Sequence, residues 1–143
     1  MNKLLLISPS LLLLIASCKE AKNNNLMPEL ATCDSAAIMY YNEPGKPRFF
    51  NMAKLYDKEN ITALSENVNG KLVTGKDSCV TEGKIYGYGK GDAVYVVYFN
   101  KSDNCMVLSF LKTGEKYFTR MNKGTQGILN DLQKTAKEPG NEK

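Results

Sequence analysis

Short apolar segments separated by turn residues fill the C-terminal half of the chain. They predict four consecutive β-strands, at residues 84–88, 93–99, 105–112 and 115–121. The connecting segments 89–92, 101–104 and 113–114 have the length and composition of hairpin turns. Since such short connections join antiparallel neighbours, we expect a four-stranded antiparallel meander.

The region before this meander predicts a β-hairpin. Residues 37–42 and 48–56 are strand-like and flank Pro44 and Gly45, a dipeptide typical of a tight turn. Residues 71–81 form a linking stretch before the meander, with room for one brief strand.

Two amphipathic helices complete the pattern. The first is capped by Asp57 or Asn60 and ends before Gly70, and the second begins near Thr125 and ends before Pro139. Their apolar positions recur at helical spacing and are Ile61, Leu64 and Val68 in the first helix and Ile128, Leu129, Leu132 and Ala136 in the second.

The order of the predicted elements is ββαββββα. Each helix has one apolar face that needs a sheet to cover it, so both are expected on one face of an antiparallel sheet. The sequence therefore predicts the α+β class, with two short helices and a four-stranded C-terminal meander. Parallel βαβ units are excluded because the connections are too short for crossover helices.

The N-terminal segment has the layout of a secretory signal peptide. Lys3 precedes two apolar runs, residues 4–7 and 11–16, with Pro9 between them. A spanning helix needs about 20 uninterrupted apolar residues, so a cleaved signal is favoured over a permanent transmembrane helix.

The end of this segment carries a recognisable processing motif. Residues 14–18 read Leu-Ile-Ala-Ser-Cys, which resembles the lipobox of bacterial lipoproteins, and the chain resembles the small lipoproteins of the Bacteroidota. The resemblance implies that the Cys18 thiol takes a diacylglyceryl group, that signal peptidase II cuts before it, and that the new amine is acylated by a fatty acid such as palmitate. Two or three acyl chains make a stable membrane anchor.

The resemblance and the polarity of the chain divide it into four parts. We expect a lipoprotein signal peptide at 1–17, a lipidated flexible tether at 18–30, a single α+β domain at 31–137 and a disordered tail at 138–143. Lys19, rather than aspartate, follows the cysteine. In the lipoproteins that the chain resembles, this residue favours transport to the outer membrane.

The composition argues against several kinds of catalytic, metal-binding and nucleic-acid-binding site. The 143-residue chain contains no histidine, so the usual general base and the usual zinc ligand are missing. Its net charge is +4, and its only arginines, Arg48 and Arg120, stand among scattered lysines, which argues against a nucleic-acid surface. We expect no catalytic residues, no cofactor, no metal and no nucleic-acid partner.

The cysteines predict one disulfide. With Cys18 lipidated, three thiols remain in an oxidising compartment. The predicted hairpin register brings Cys79 and Cys105 to the same end of neighbouring strands, which makes them the preferred pair. Cys33 is then buried or free, and a Cys33–Cys79 bridge is the main alternative.

Aromatic side chains are the main candidates for ligand binding. With Tyr88 opposite Ala93 in the hairpin, Tyr86, Tyr88 and Tyr95 are expected near one another on one face of the meander. Ordinary cross-strand packing is the alternative explanation for these residues. Ser35 lies in an Asp-Ser-Ala sequence that resembles the O-glycosylation site of exported Bacteroidota proteins.

These features predict a non-enzymatic, lipid-anchored binding or accessory module at the cell envelope, most naturally at the outer membrane. Its partners would be membrane lipid, through acylated Cys18, and an unknown envelope protein or glycan. One alternative is a small envelope inhibitor of a lysozyme or a protease, which predicts a projecting loop at residues 43–47. Another is a carboxylate hydrolase, which needs two acidic side chains in one pocket.

Overall fold

The computed structural model describes residues 22–141, so the signal peptide, Cys18 and the first residues of the expected tether lie outside the described part. Its elements in chain order are a 3-10 helix (Pro28–Thr32), β1 (Ser35–Glu43), β2 (Lys46–Leu55), α1 (Lys58–Val68), β3 (Gly83–Tyr88), β4 (Val94–Asn100), β5 (Val107–Lys112), β6 (Glu115–Arg120) and α2 (Lys123–Gln133). The predicted α+β class is confirmed. The details differ, because a 3-10 helix precedes β1 and several element boundaries shift.

The six strands form one antiparallel sheet in the order β2-β1-β3-β4-β5-β6. β1 lies between β2 and β3, where Ile38 pairs with Ala53 on one side and with Ile85 on the other. Consecutive strands from β3 to β6 are neighbours, which is the arrangement expected for the meander. The N-terminal hairpin therefore extends the meander into a single sheet.

Side-chain caps determine where both helices begin. The Asp57 carboxylate accepts a hydrogen bond from the Asn60 backbone N–H at 2.8 Å, so Asp57 is the cap of the first helix. The Asn122 side chain accepts one from the Thr125 backbone N–H at 2.8 Å. α2 consequently begins slightly earlier than the sequence pattern predicts.

α2 also ends earlier than expected, at Gln133. Beyond it, Lys137 pairs with Met52 on the outer edge of β2 through backbone hydrogen bonds of 2.8 and 3.0 Å. The residues that precede Pro139 therefore leave the helix in order to pair with the sheet edge.

The hydrophobic core lies between the helices and one face of the sheet, which we call the first face. Its fully buried members include Ile38, Ile61, Leu64, Val68, Ile85, Val97, Phe99, Leu108, Phe110 and Leu129. The Tyr40 hydroxyl donates to the Leu129 carbonyl at 2.7 Å and connects β1 to α2. Burial raises the pKa of Tyr40 far above its usual range, so this phenol stays protonated and keeps its donor.

The packed domain begins before residue 31, where we expected the tether to end. The Asn24 side-chain amide donates to the Gly70 carbonyl at 2.6 Å, and the Asn69 side chain bonds to both backbone groups of Met27 at 2.9 Å. Met27 and Leu30 are buried in the core. Residues 24–30 are thus part of the domain because their apolar side chains cover the sheet, and the expected tether shortens accordingly.

The linking segment, residues 71–82, runs from α1 to β3 without a regular strand. The Val73 N–H donates to the Phe118 carbonyl at 2.8 Å, so the segment starts along the outer edge of β6. Further on, the Asn100 side-chain amide donates to the Val80 carbonyl at 2.5 Å. The segment therefore passes the ends of β5 and β4 on its way to β3.

A disulfide between Cys79 and Cys105 fixes this segment, as predicted from the hairpin pattern. Among the described residues, Cys33 is the free cysteine, and it is buried beneath the 3-10 helix.

Within the same part of the chain, no helix has the length and hydropathy needed to cross a bilayer.

A matched pair of glycine substitutions tests the packing. At Gly83 a β-carbon would overlap the Met39 carbonyl and the Phe99 ring, whereas at Gly127 on α2 it would meet open space. We expect Gly83→Ala to lower the free energy of unfolding by about 1–3 kcal/mol. Gly127→Ala should raise it by about 0.5–1 kcal/mol, because alanine favours the helix. Urea unfolding measures both, and equal stabilities would contradict this packing.

The disulfide should make a large contribution to stability. The bridged cysteines are 26 residues apart in sequence, and closing a loop of this size stabilises a domain by about 3–4 kcal/mol in the chain-entropy description. We expect the double variant Cys79→Ser/Cys105→Ser to lose this amount in urea unfolding. Reduction of the wild-type chain is the control and should give the same loss. An unchanged midpoint in both would show that the bridge does not restrain the unfolded chain.

Candidate binding face

The opposite side of the sheet, which we call the second face, is not packed by either described helix. Strand alternation and register assign to it Ala37, Met39, Tyr41, Phe50, Met52, Lys54, Lys84, Tyr86, Tyr88, Val94, Val96, Tyr98, Asn100, Val107, Ser109, Leu111, Lys116, Phe118 and Arg120. Three of its apolar side chains are largely exposed: Tyr88 at 42%, Val94 at 50% and Leu111 at 58%. Exposed apolar groups gathered on one surface are typical of an interaction site.

A lysine surrounded by tyrosines lies in the middle of this face. Lys84 of β3 pairs with Met39 on one side and with Tyr98 on the other. Its ammonium group lies 5.4 Å from the centroid of the Tyr98 ring, and the Tyr41 hydroxyl is close enough to influence its charge. Tyr86 follows two residues later on the same strand face. Lys84 is therefore held over aromatic rings while its charge remains near the surface.

The surroundings of Lys84 raise its pKa above the ordinary value. Burial lowers the pKa of Lys84, but the nearby phenol groups of Tyr41, Tyr86 and Tyr98 outweigh that effect and raise its pKa overall. Burial raises the pKa of Tyr41, although Lys84 opposes the rise. Lys84 therefore carries an ammonium ion at neutral pH, beside hydroxyl groups and ring faces that can contact a ligand.

A second cation–aromatic contact lies near the β6 edge of the same face. The Lys116 ammonium group lies 5.1 Å from the centroid of the Phe118 ring. Tyr98, Ser109 and Phe118 occupy one row across β4, β5 and β6. With strands about 4.8 Å apart, the two aromatic residues are separated by about 10 Å across the small Ser109. This row of the second face therefore carries two aromatic residues, Tyr98 and Phe118, and a lysine lies over the ring of each.

The structure places two of the three predicted ligand-face tyrosines together. Tyr86 and Tyr88 are on the second face, but Tyr95 pairs with Gly87 and packs against the core on the first face. The expectation that all three share a face is wrong for Tyr95. Sequence reasoning also missed Lys84 and Tyr98.

Tyr95 lies on the first face because the turn between β3 and β4 is one residue longer than predicted. Tyr88 pairs with Val94 rather than with Ala93, because Gly91 and Asp92 both adopt positive φ angles, 65° and 59°, and the loop takes in one more residue. A shift of one residue in a strand moves each of its side chains to the other face.

The remaining predicted site residues are Ser35, at the end of this face, and Cys18. Ser35 begins β1 opposite Tyr88, and its glycosylation stays a prediction. Lipidation of Cys18 lies outside the described residues. Among residues 22–141 no group of three or more His, Cys, Asp or Glu side chains is placed to hold a metal.

The two alternative functions predict a projecting loop at residues 43–47 or a pocket with two carboxylates. The hairpin tip at residues 43–47 is a tight turn in which Glu43 pairs with Lys46, and the Gly45 N–H donates to the Thr81 carbonyl at 2.7 Å. The tip is therefore held against the linking segment. Five shallow depressions of the described surface contain one carboxylate each, from Glu43, Glu66, Asp77, Asp131 or Glu138.

Comparison with protein families, with characterised proteins and with solved structures finds no significant match to this chain.

The buried thiol of Cys33 should be inert in the folded protein. Burial raises its pKa, while the nearby Lys58 ammonium lowers it to a lesser extent. In a Cys18→Ala background we expect no labelling of the native chain by a thiol reagent at pH 8, and one labelled thiol, Cys33, after unfolding without reductant. The adduct mass measures this. Rapid labelling of the native chain would contradict the burial of Cys33.

Proposed function

We propose that this protein is a lipid-anchored binding module of the cell envelope and that its second face is the binding surface. The supporting observation is the second face itself, where Tyr88, Val94 and Leu111 are exposed around the Lys84–tyrosine group. The lipobox-like sequence ending at Cys18 supports the anchor. The outer membrane is the proposed location, and no enzymatic activity is proposed.

A tether from the proposed anchor would reach the domain on the side opposite the second face. Among the described residues, Asn24 is the first that is hydrogen-bonded to the domain, and it bonds to Gly70 at the end of α1, on the helix side. Six residue steps separate Cys18 from Asn24, so the connection reaches at most about 20 Å. A chain anchored at Cys18 would keep its helices near the bilayer and turn the second face away from it.

The two alternative functions lack comparable support. An inhibitor that inserts residues 43–47 into a cleft needs a projecting loop, whereas this turn is bonded to Thr81. A hydrolase that uses paired carboxylates needs two of them in one pocket, and each depression described above has one. Neither idea is supported by a specific contact.

Intact mass and fractionation test the anchor. We expect the membrane-extracted protein to have the mass of residues 18–143 plus acyl chains, because the lipobox cysteine becomes the first residue. Cys18→Ala should remain uncleaved and carry no acyl group. Cys33→Ala is the matched control, since it removes another cysteine and should leave processing unchanged. A wild-type chain without acyl groups would overturn the proposed anchor.

A further inference from the structure

The charges of the second face have one sign. Away from the β1–β2 turn, where Glu43 pairs with Lys46, the charged side chains that the described strands place on this face are Lys54, Lys84, Lys116 and Arg120. The carboxylate of Glu82, just before β3, is occupied by the Lys101 N–H at 2.8 Å and by the Ser102 hydroxyl. Asp77 lies at the margin, beside Lys116 and Phe118. The face as a whole is basic.

The cations alternate with aromatic rings. Lys84 lies over Tyr98 and Lys116 over Phe118, at 5.4 and 5.1 Å from the ring centroids. A ligand that suits this pattern has flat or weakly polar rings that stack on aromatic side chains, and regularly spaced negative groups that pair with ammonium ions. A chain of acidic sugars has both properties, because each pyranose ring has an apolar face and carries a carboxylate.

We infer that the second face binds an acidic polysaccharide, with sugar rings stacked on Tyr98 and Phe118 and sugar carboxylates paired with Lys84 and Lys116. This inference rests on the proposed binding function of the second face and names the chemical class of its ligand. The aromatic rings alone would also suit a neutral sugar chain. An acidic chain is inferred because its carboxylates can pair with the ammonium groups of Lys84 and Lys116.

Other occupants fit the structure less well. A peptide that adds a strand to the sheet needs a run of free backbone groups along an edge, and both edges are interrupted, β2 by Lys137 at Met52 and β6 by Val73 at Phe118. A second copy of the chain, docked through the same face, would set lysines against lysines. The anchoring bilayer lies on the helix side if the proposed tether is correct, so its lipid headgroups are out of reach of the second face.

Binding of polygalacturonate by the full-length chain in detergent tests the inference. The fully methyl-esterified polymer is the matched ligand without charge, and poly-glutamate is the matched polyanion without sugar rings. Vesicles that contain phosphatidylglycerol test for an anionic lipid ligand instead. We expect tight binding of polygalacturonate alone, weakened by added salt.

Four variants locate the site. Lys84→Gln should reduce the affinity for polygalacturonate about tenfold, which is the loss expected for one charged hydrogen bond. Lys134→Gln on α2, where the lysine pairs with Asp131 at 2.7 Å, is the control and should leave the affinity unchanged. Tyr98→Leu should reduce the affinity about fivefold, whereas Tyr98→Phe keeps the ring and should retain it.

Each contrary result overturns a different part. The methyl ester could bind as tightly as polygalacturonate and lose this binding in Tyr98→Leu. That result would contradict an acidic ligand but would keep the second face as a binding surface. If poly-glutamate or anionic vesicles bind as tightly as polygalacturonate, the ligand is not specifically a sugar. Equal losses in Lys84→Gln and Lys134→Gln would show unspecific charge attraction and overturn the site. Absence of binding to every probe would overturn the inference. The intact mass of the protein tests the lipid anchor at Cys18 independently.

Discussion

Two helices of eleven residues each can cover only one face of a six-stranded sheet, and most features of this protein follow from that limit. Buried apolar side chains line the first face, where Ile38, Ile85 and Val97 meet the helices. The same strands must then present their alternate side chains to the other side. The second face is therefore a direct consequence of the core, and several of its side chains, such as Tyr88, Val94 and Leu111, remain exposed.

The periodic parts of the fold could be predicted from the sequence. Alternating apolar residues and short turns indicate the meander, and helical spacing with an Asp57 cap indicates α1. The Cys79–Cys105 bridge follows from the same hairpin pattern, because it depends only on which strand ends meet. These features are determined by residues close to one another in the chain or by simple hairpin geometry.

The parts that could not be predicted depend on contacts between distant residues or on one detail of a turn. Nothing in the local pattern near Leu30 shows that it packs into the core beside β3. The hairpin loop contains one more residue than its composition suggests, and that residue transfers Tyr95 to the core. Lys84 resembles any exposed strand lysine in the sequence; only the pairing of β1, β3 and β4 brings Tyr41 and Tyr98 around it.

The second face is proposed to bind a ligand, whereas the first face packs against the helices. Mapping of backbone amide chemical shifts by NMR, during titration with an oligogalacturonate, tests it most directly. We expect shifts concentrated on β3, β4 and β6, around Lys84, Tyr98 and Phe118. Shifts confined to the groove between α1 and α2, around Asn67 and Thr125, would contradict it.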